Sequence, residues 1–211
     1  MGKVFLILAA LVSAYAAGAA ERLVYTKTCG ESVSKVVYVV EDRPDGKRLM
    51  KIDVDTQHTE QLLDAQLHTL YWHLVDRAQD SDVLAELHDG VFTVKGVLRG
   101  RAVDRSFPDE GTPWIQNMGY VSGKLPALKG SEVAYECFQP SNFRMRQMVA
   151  RDMGVEKTPN GEATLVKCCP AGALSKLWSC VYLFGDNGDL VGYRAVEGLP
   201  GTPLTVWTLD K

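Results

Sequence analysis

Apolar and polar residues alternate with a period of two through most of this chain. In the run Met50-Lys51-Ile52-Asp53-Val54-Asp55 the apolar side chains share one face and the charged ones the other. That pattern marks an antiparallel strand with one wet face. Residues 23–28 and 33–40 are rich in β-branched and aromatic side chains, which suit a pleated, half-buried surface. Asp42-Arg43-Pro44-Asp45-Gly46 turns the chain between strands. Residues 66–75 predict a strand with His68, Leu70, Trp72 and Leu74 on one face and Thr69, Tyr71 and His73 on the other. Residues 83–88 and 91–98 flank Asp89-Gly90, a strong hairpin signal. Further strands are expected at 133–138, 143–153, 162–169, 176–184, 190–196 and 204–209, with turns at Asn160-Gly161, Asn187-Gly188 and 198–201. No helical stripe stands out. Residues 59–67 are the best candidate for a short helix, and 145–153 fit either period.

The run 176–184 decides the architecture. Trp178, Cys180, Tyr182 and Phe184 alternate with Leu177, Val181 and Leu183, so both faces are apolar and both should be covered. The expectation is all-β: a strongly curved antiparallel meander, half-barrel or open barrel, with at most one or two short helices. Such curvature also removes exposed edges. Residues 106–130 break the rhythm with Pro108, Pro113, Pro126 and four glycines. A connection this long is usually functional or mobile. Trp114 within it is either a plug or lid packed on the sheet or the buried anchor of a structural crossover.

Composition places the chain in a compartment. Lys3 precedes a short apolar run, and small residues lead to Ala17-Gly18-Ala19 before the first charges at Glu21 and Arg22. This is the plan of a secretory signal peptide over residues 1–20, cleaved near Ala19 or Ala20. The expected product is an exported protein, periplasmic or extracellular, with one β domain over 21–211. A formal charge of −3 argues against nucleic-acid partners. No further apolar stretch is long enough to cross a membrane as a helix. A membrane barrel is also disfavoured, because charged residues interrupt both faces of most strands.

Export permits disulfides. The candidates are Cys29, Cys137, Cys168, Cys169 and Cys180, an odd number that leaves at least one without an intramolecular partner. If 170–175 turns a tight hairpin, Cys169 faces the region of Lys176, and a rung to Cys180 needs another register. A Cys168–Cys169 ring would be strained.

Thr69-Leu70-Tyr71-Trp72, Asp89-Gly90 before Val91-Phe92, Pro113-Trp114-Ile115-Gln116, residues 178–184, Asp189-Leu190-Val191-Gly192-Tyr193 and residues 201–205 together resemble a group of exported bacterial β-proteins. That group shares a half-barrel plan with the periplasmic lipoprotein-carrier superfamily. The resemblance implies a curved sheet around an apolar cavity that holds acyl chains or a plug helix. It carries over no catalytic residue and no cofactor.

Catalytic chemistry has little to stand on. Gly119-Tyr120-Val121-Ser122-Gly123 has its serine one place late for a nucleophile elbow. His68 and His73 are five apart and point to opposite faces of one strand, so they cannot share a metal without a bulge. Asp53 and Asp55 share a face with Lys51 that reads as solvated, and Arg99, Arg101 and Arg105 form a short basic cluster at a turn. Three classes therefore stand. In the first, a non-catalytic module binds an apolar or acyl small molecule, lined by Tyr71, Trp178 and Tyr182 and gated by Trp114. The second is an envelope hydrolase with a dispersed site, and the third a structural protein with a filled core. No metal ligand set and no cofactor is expected.

Overall fold

The computed structural model describes residues 20–121, 131–140, 143–158, 161–176, 178–196 and 201–210. The signal-peptide expectation lies outside them except for Ala20. The first eight strands are β1 (Glu21–Cys29), β2 (Ser32–Asp42), β3 (Arg48–Val54), β4 (Gln57–Leu63), β5 (Thr69–Asp76), β6 (Ser81–His88), β7 (Val91–Leu98) and β8 (Arg101–Pro108). A four-residue helix α1 (Met118–Val121) follows, then β9 (Glu132–Gln139), β10 (Arg144–Thr158) and β11 (Gly161–Pro170). The chain ends with β12 (Cys180–Phe184), β13 (Leu190–Val196) and β14 (Leu204–Leu209).

All fourteen strands belong to one antiparallel sheet, as the alternation predicts, in the order β8-β7-β6-β5-β4-β3-β2-β1-β14-β13-β12-β11-β10-β9. Two meanders thus meet where β1 pairs with β14. This topology makes β8 and β9 the two edges, and the long connection joins them. A segment tethered to both edges must cross the sheet. The tight turns are set by local chemistry: Asp89 and Gly90 have φ of 50° and 73°, as a type I′ hairpin demands.

The sheet rolls. Tyr135 and Phe138 lie three residues apart on β9, so they point to opposite faces. Tyr135 belongs to the main core with Tyr25, Tyr38, Met50 and Val166. Phe138 packs against Trp72 at 5.9 Å and Phe92 at 5.8 Å, in a second core with Val83, Val94 and Trp114. Edge strand β9 is therefore tucked inside the curve of β5–β7 and covered on both sides. The ladder itself does not close.

Three expectations need correction. Residues 59–67 form no helix: Thr59, Gln61 and Leu63 point inward from β4. Asp64 Oδ1 then accepts the N–H groups of Gln66 (2.9 Å) and His68 (2.8 Å), and Leu67 takes φ 68°, which turns the chain instead. The strand expected from residue 66 accordingly starts at Thr69, and a bulge follows, with Leu63 opposite Thr69 but Leu62 opposite Tyr71. The strand expected from residue 176 starts at Cys180, because Gly172–Lys176 coils into a 3₁₀ turn. That longer turn sets Cys168, not Cys169, opposite the downstream strand, where it faces Cys180.

The doubly apolar strand is covered, by different means on each side. Inward-facing Cys180 and Phe184 lie in the main core. Outward-facing Leu183 is buried over Gly192, whose missing Cβ would sit 3.6 Å from Leu183 Cδ1. Val181, between Lys167 and Arg194, is half-buried.

Candidate functional site

The long connection enters the roll and fills part of it. Glu136 N–H donates to Pro113 O (2.8 Å), and Ile115 N–H donates to Glu136 O (2.9 Å), which adds residues 113–115 to the free edge of β9. On the other side Thr69 N–H donates to Trp114 O (2.7 Å), and Gln116 N–H donates to Thr69 Oγ1 (3.0 Å). The Gln116 amide completes the stitch. Its Oε1 accepts from Trp114 Nε1 (2.9 Å) and Phe138 N (3.0 Å), while Nε2 donates to Phe138 O (3.0 Å). This strap joins an edge strand to the start of β5, ten places away in the sheet order.

Beyond the strap the chain plugs the roll. Ile115, Met118, Tyr120 and Val121 are all buried in the main core. Gly119 lies against the Tyr182 ring, and an added Cβ would stand 2.8 Å from Tyr182 Cε1. Here glycine is required by close approach. From Tyr182 a row of rings runs across the inner face: Tyr193 at 5.1 Å, Trp207 at 4.6 Å from Tyr193, Tyr25 at 6.4 Å, and Tyr38 at 5.6 Å from Tyr25. Tyr25 Oη donates to Leu190 O (2.9 Å), and Asn117 Nδ2 donates to Tyr38 Oη (3.3 Å). Burial pushes the Tyr38 phenol up to about 12 and the Tyr25 phenol higher still, so both stay neutral.

At the far end of this row lies an open cavity of about 350 Å³. Ile52, Val54, Trp72, Leu74 and Trp207 supply apolar wall, and Gln57, Thr59, Gln61, Gln116 and Asn117 supply polar wall. Two polar atoms here have no partner. Gln61 Oε1 is an acceptor and Trp207 Nε1 a donor, and each is shielded from solvent without a hydrogen bond. Gln61 is only 1% exposed. Unpartnered buried polar atoms are few in native proteins, and each calls for an explanation.

The residues expected to line one pocket are not brought together. Tyr182 is on the inner face, but under the plug. Trp114 is 3% exposed, edge-on to Phe92 at 4.6 Å, and locked into the strap through both its carbonyl and its indole N–H. That is the geometry of a fixed plug residue. Trp178 lies outside the strand and is 37% exposed. Tyr71 points outward, where with Leu49, Leu62, Leu70, Glu60 and Glu86 it lines a shallow groove of about 430 Å³. Partial burial and those two carboxylates raise its pKa. Gln61 and Trp207 carried no expectation. No local pattern marks Gln61, because Thr59 beside it on the inner face of β4 is polar as well.

All five cysteines are thiols in the structure. Cys168 and Cys180 are buried on the inner face, Cys137 is half-buried with Sγ 3.7 Å from Gln116 Oε1, and Cys29 lies at the chain's first turn. Each histidine is within reach of an aspartate, as in His58–Asp53 (2.6 Å) and His73–Asp82 (2.8 Å). Among the described residues no group of three or more His, Cys, Asp or Glu side chains is placed to hold a metal ion. No helix among them is long and apolar enough to cross a membrane.

No family model matches the sequence, and no curated protein matches it. Among solved structures the chain is similar to a β-barrel-like protein of a domain of unknown function, DUF1849, from Brucella abortus. The TM-score is 0.56 at 13% identity, and the match covers 91% of this chain and 96% of that one. At this identity the likeness shows the fold, a β-barrel-like all-β architecture.

Proposed function

We propose that this is an exported, non-catalytic binding module whose ligand is a small amphiphile held in the inner cavity between β3–β5 and β14. The observation that carries the proposal is that Gln61 and Trp207, whose Oε1 and Nε1 have no hydrogen-bond partner, both line one cavity. When the two side chains turn toward the cavity, a ligand that both donates and accepts satisfies them together, and its apolar part lies along Ile52, Val54, Leu74 and Trp72. A few fixed polar groups in a mainly apolar concavity are the usual anatomy of a small-molecule site. The carrier-like resemblance supports an acyl tail. The polar anchors favour a neutral amide or hydroxyl headgroup over a carboxylate, which offers no donor to Gln61, while Lys27 on the cavity wall is already paired with Asp55 at 2.9 Å. Among the described residues the cavity lining contains no His, Cys, Asp, Glu or Ser, which favours binding over hydrolysis. Export rests on the residues 1–20 pattern.

Isothermal titration with octanamide and with octanoate at pH 7 tests this reading. Octanamide is expected to bind more tightly. Gln61→Met and Trp207→Phe, which remove one polar atom each and keep the shape, are expected to weaken it roughly tenfold. The same Gln61→Met change should raise the stability of the empty protein by about 1 kcal/mol, because an unsatisfied acceptor disappears. Equal affinity for amide and carboxylate, with both variants unaffected, defeats the proposal.

A further inference from the structure

We infer that Cys168 and Cys180 form a structural cross-strand disulfide in the mature protein, leaving Cys137, Cys169 and Cys29 as thiols. The two residues are directly opposite in the β11–β12 register, so both side chains leave the sheet on the same face. Facing residues in an antiparallel pair have Cα atoms about 4.5–5.5 Å apart, inside the range a disulfide spans. Both side chains, with Tyr135, lie in the same buried core on that face. Cys169, one residue along, looks to the opposite face of the sheet and is excluded as partner.

Bridge formation is an exchange with an external disulfide RSSR. The first thiolate attacks one sulfur of RSSR and releases RS⁻, giving a mixed disulfide. The second thiolate then displaces the other RS⁻. In balance, two cysteine thiols and RSSR become one cystine and two RSH, the cystine sulfurs being oxidised and RSSR reduced. With relative exposures of 1% and 3%, Cys168 and Cys180 are out of reach of RSSR once the sheet has formed. The neighbouring Cys180 thiol and burial also hold the Cys168 proton on. The exchange therefore belongs to folding, before β12 docks.

The test refolds the reduced full chain from urea into a buffer of oxidised and reduced glutathione, then maps peptides by mass spectrometry. Trypsin separates residues 168–176 from 177–194, so a bridge appears as one linked pair, lighter by two hydrogens than its reduced parts. The link should persist in Cys169→Ser and vanish in Cys168→Ser and Cys180→Ser, with folding of each variant checked by its β-sheet circular dichroism. Reduction should lower the Tm of the bridged protein by roughly 6–12 °C, as expected for a loop of this length in a domain of this size. A link that survives Cys168→Ser, a link to Cys137, or a folded oxidised product with both thiols free overturns the inference.

Discussion

Trp114→Ala is expected to cost about 3–5 kcal/mol of unfolding free energy, the range for emptying a large buried aromatic site. The ring packs edge-on against Phe92 at 4.6 Å, and its indole N–H is held by Gln116, the amide that also stitches Phe138 into the strap. The loss therefore reaches beyond a cavity, because it loosens the contact that keeps β9 inside the roll. Trp178→Ala is the matched control. That ring is 37% exposed and lies outside the strands, so its removal should cost no more than about 1 kcal/mol. Urea titrations followed by far-ultraviolet circular dichroism separate the two. A tolerated Trp114→Ala beside a damaging Trp178→Ala would restore the arrangement expected from sequence and remove the strap from the account.

Gly119→Ala is expected to destabilise by about 1–3 kcal/mol through overpacking. The new methyl would stand 2.8 Å from Tyr182 Cε1, and that ring has little room to yield, being packed on Tyr193. Tyr182→Leu removes the obstructing ring and itself costs stability through lost aromatic contacts. The informative quantity is the cycle. Gly119→Ala/Tyr182→Leu should be more stable than the sum of the single effects by about 1 kcal/mol, as neighbours in contact are not additive. Strict additivity would mean that the helix α1 does not rest on Tyr182 and that the inner face over β12 is filled in some other way.

The fold was legible where burial and polarity agree. Met50, Ile52 and Val54 alternate with charged residues, and β3 is where they predict it. Asp89-Gly90 reads as a hairpin and adopts one. The doubly apolar run 176–184 rightly demanded a curved sheet with its inner face covered, although the strand itself is only Cys180–Phe184. Reading failed where the binary pattern is broken on purpose. Gln61 is a polar residue at an inward position, so Thr59-Glu60-Gln61-Leu62-Leu63 loses its visible alternation and suggests a helix, whereas the chain forms β4. The same residue carries the proposed ligand contact. Such local inconsistencies are expected at functional sites. Tyr71 was misplaced for a different reason. Its parity opposite Trp72 was legible, but which face turns inward depends on how the whole sheet rolls, and no local pattern encodes that. The strap was hidden too, since the link from β9 to β5 joins residues such as Thr69 and Gln116 through the connection between two edges.

The four tryptophans stand in four different environments, which permits one direct test. Trp207 Nε1 is shielded and unpartnered on the cavity wall, the Trp72 ring lines the same cavity, the Trp114 indole is bonded to Gln116, and Trp178 is exposed. The indole N–H signals in a ¹⁵N–¹H correlation spectrum, assigned by single Trp→Phe variants, can be followed as octanamide is added. Trp207 is expected to move furthest, downfield as its N–H gains an acceptor, with Trp72 moving at the same midpoint and Trp178 staying still. Movement of Trp178 with Trp207 and Trp72 unchanged would place the ligand outside the roll and rule out the inner cavity as its site.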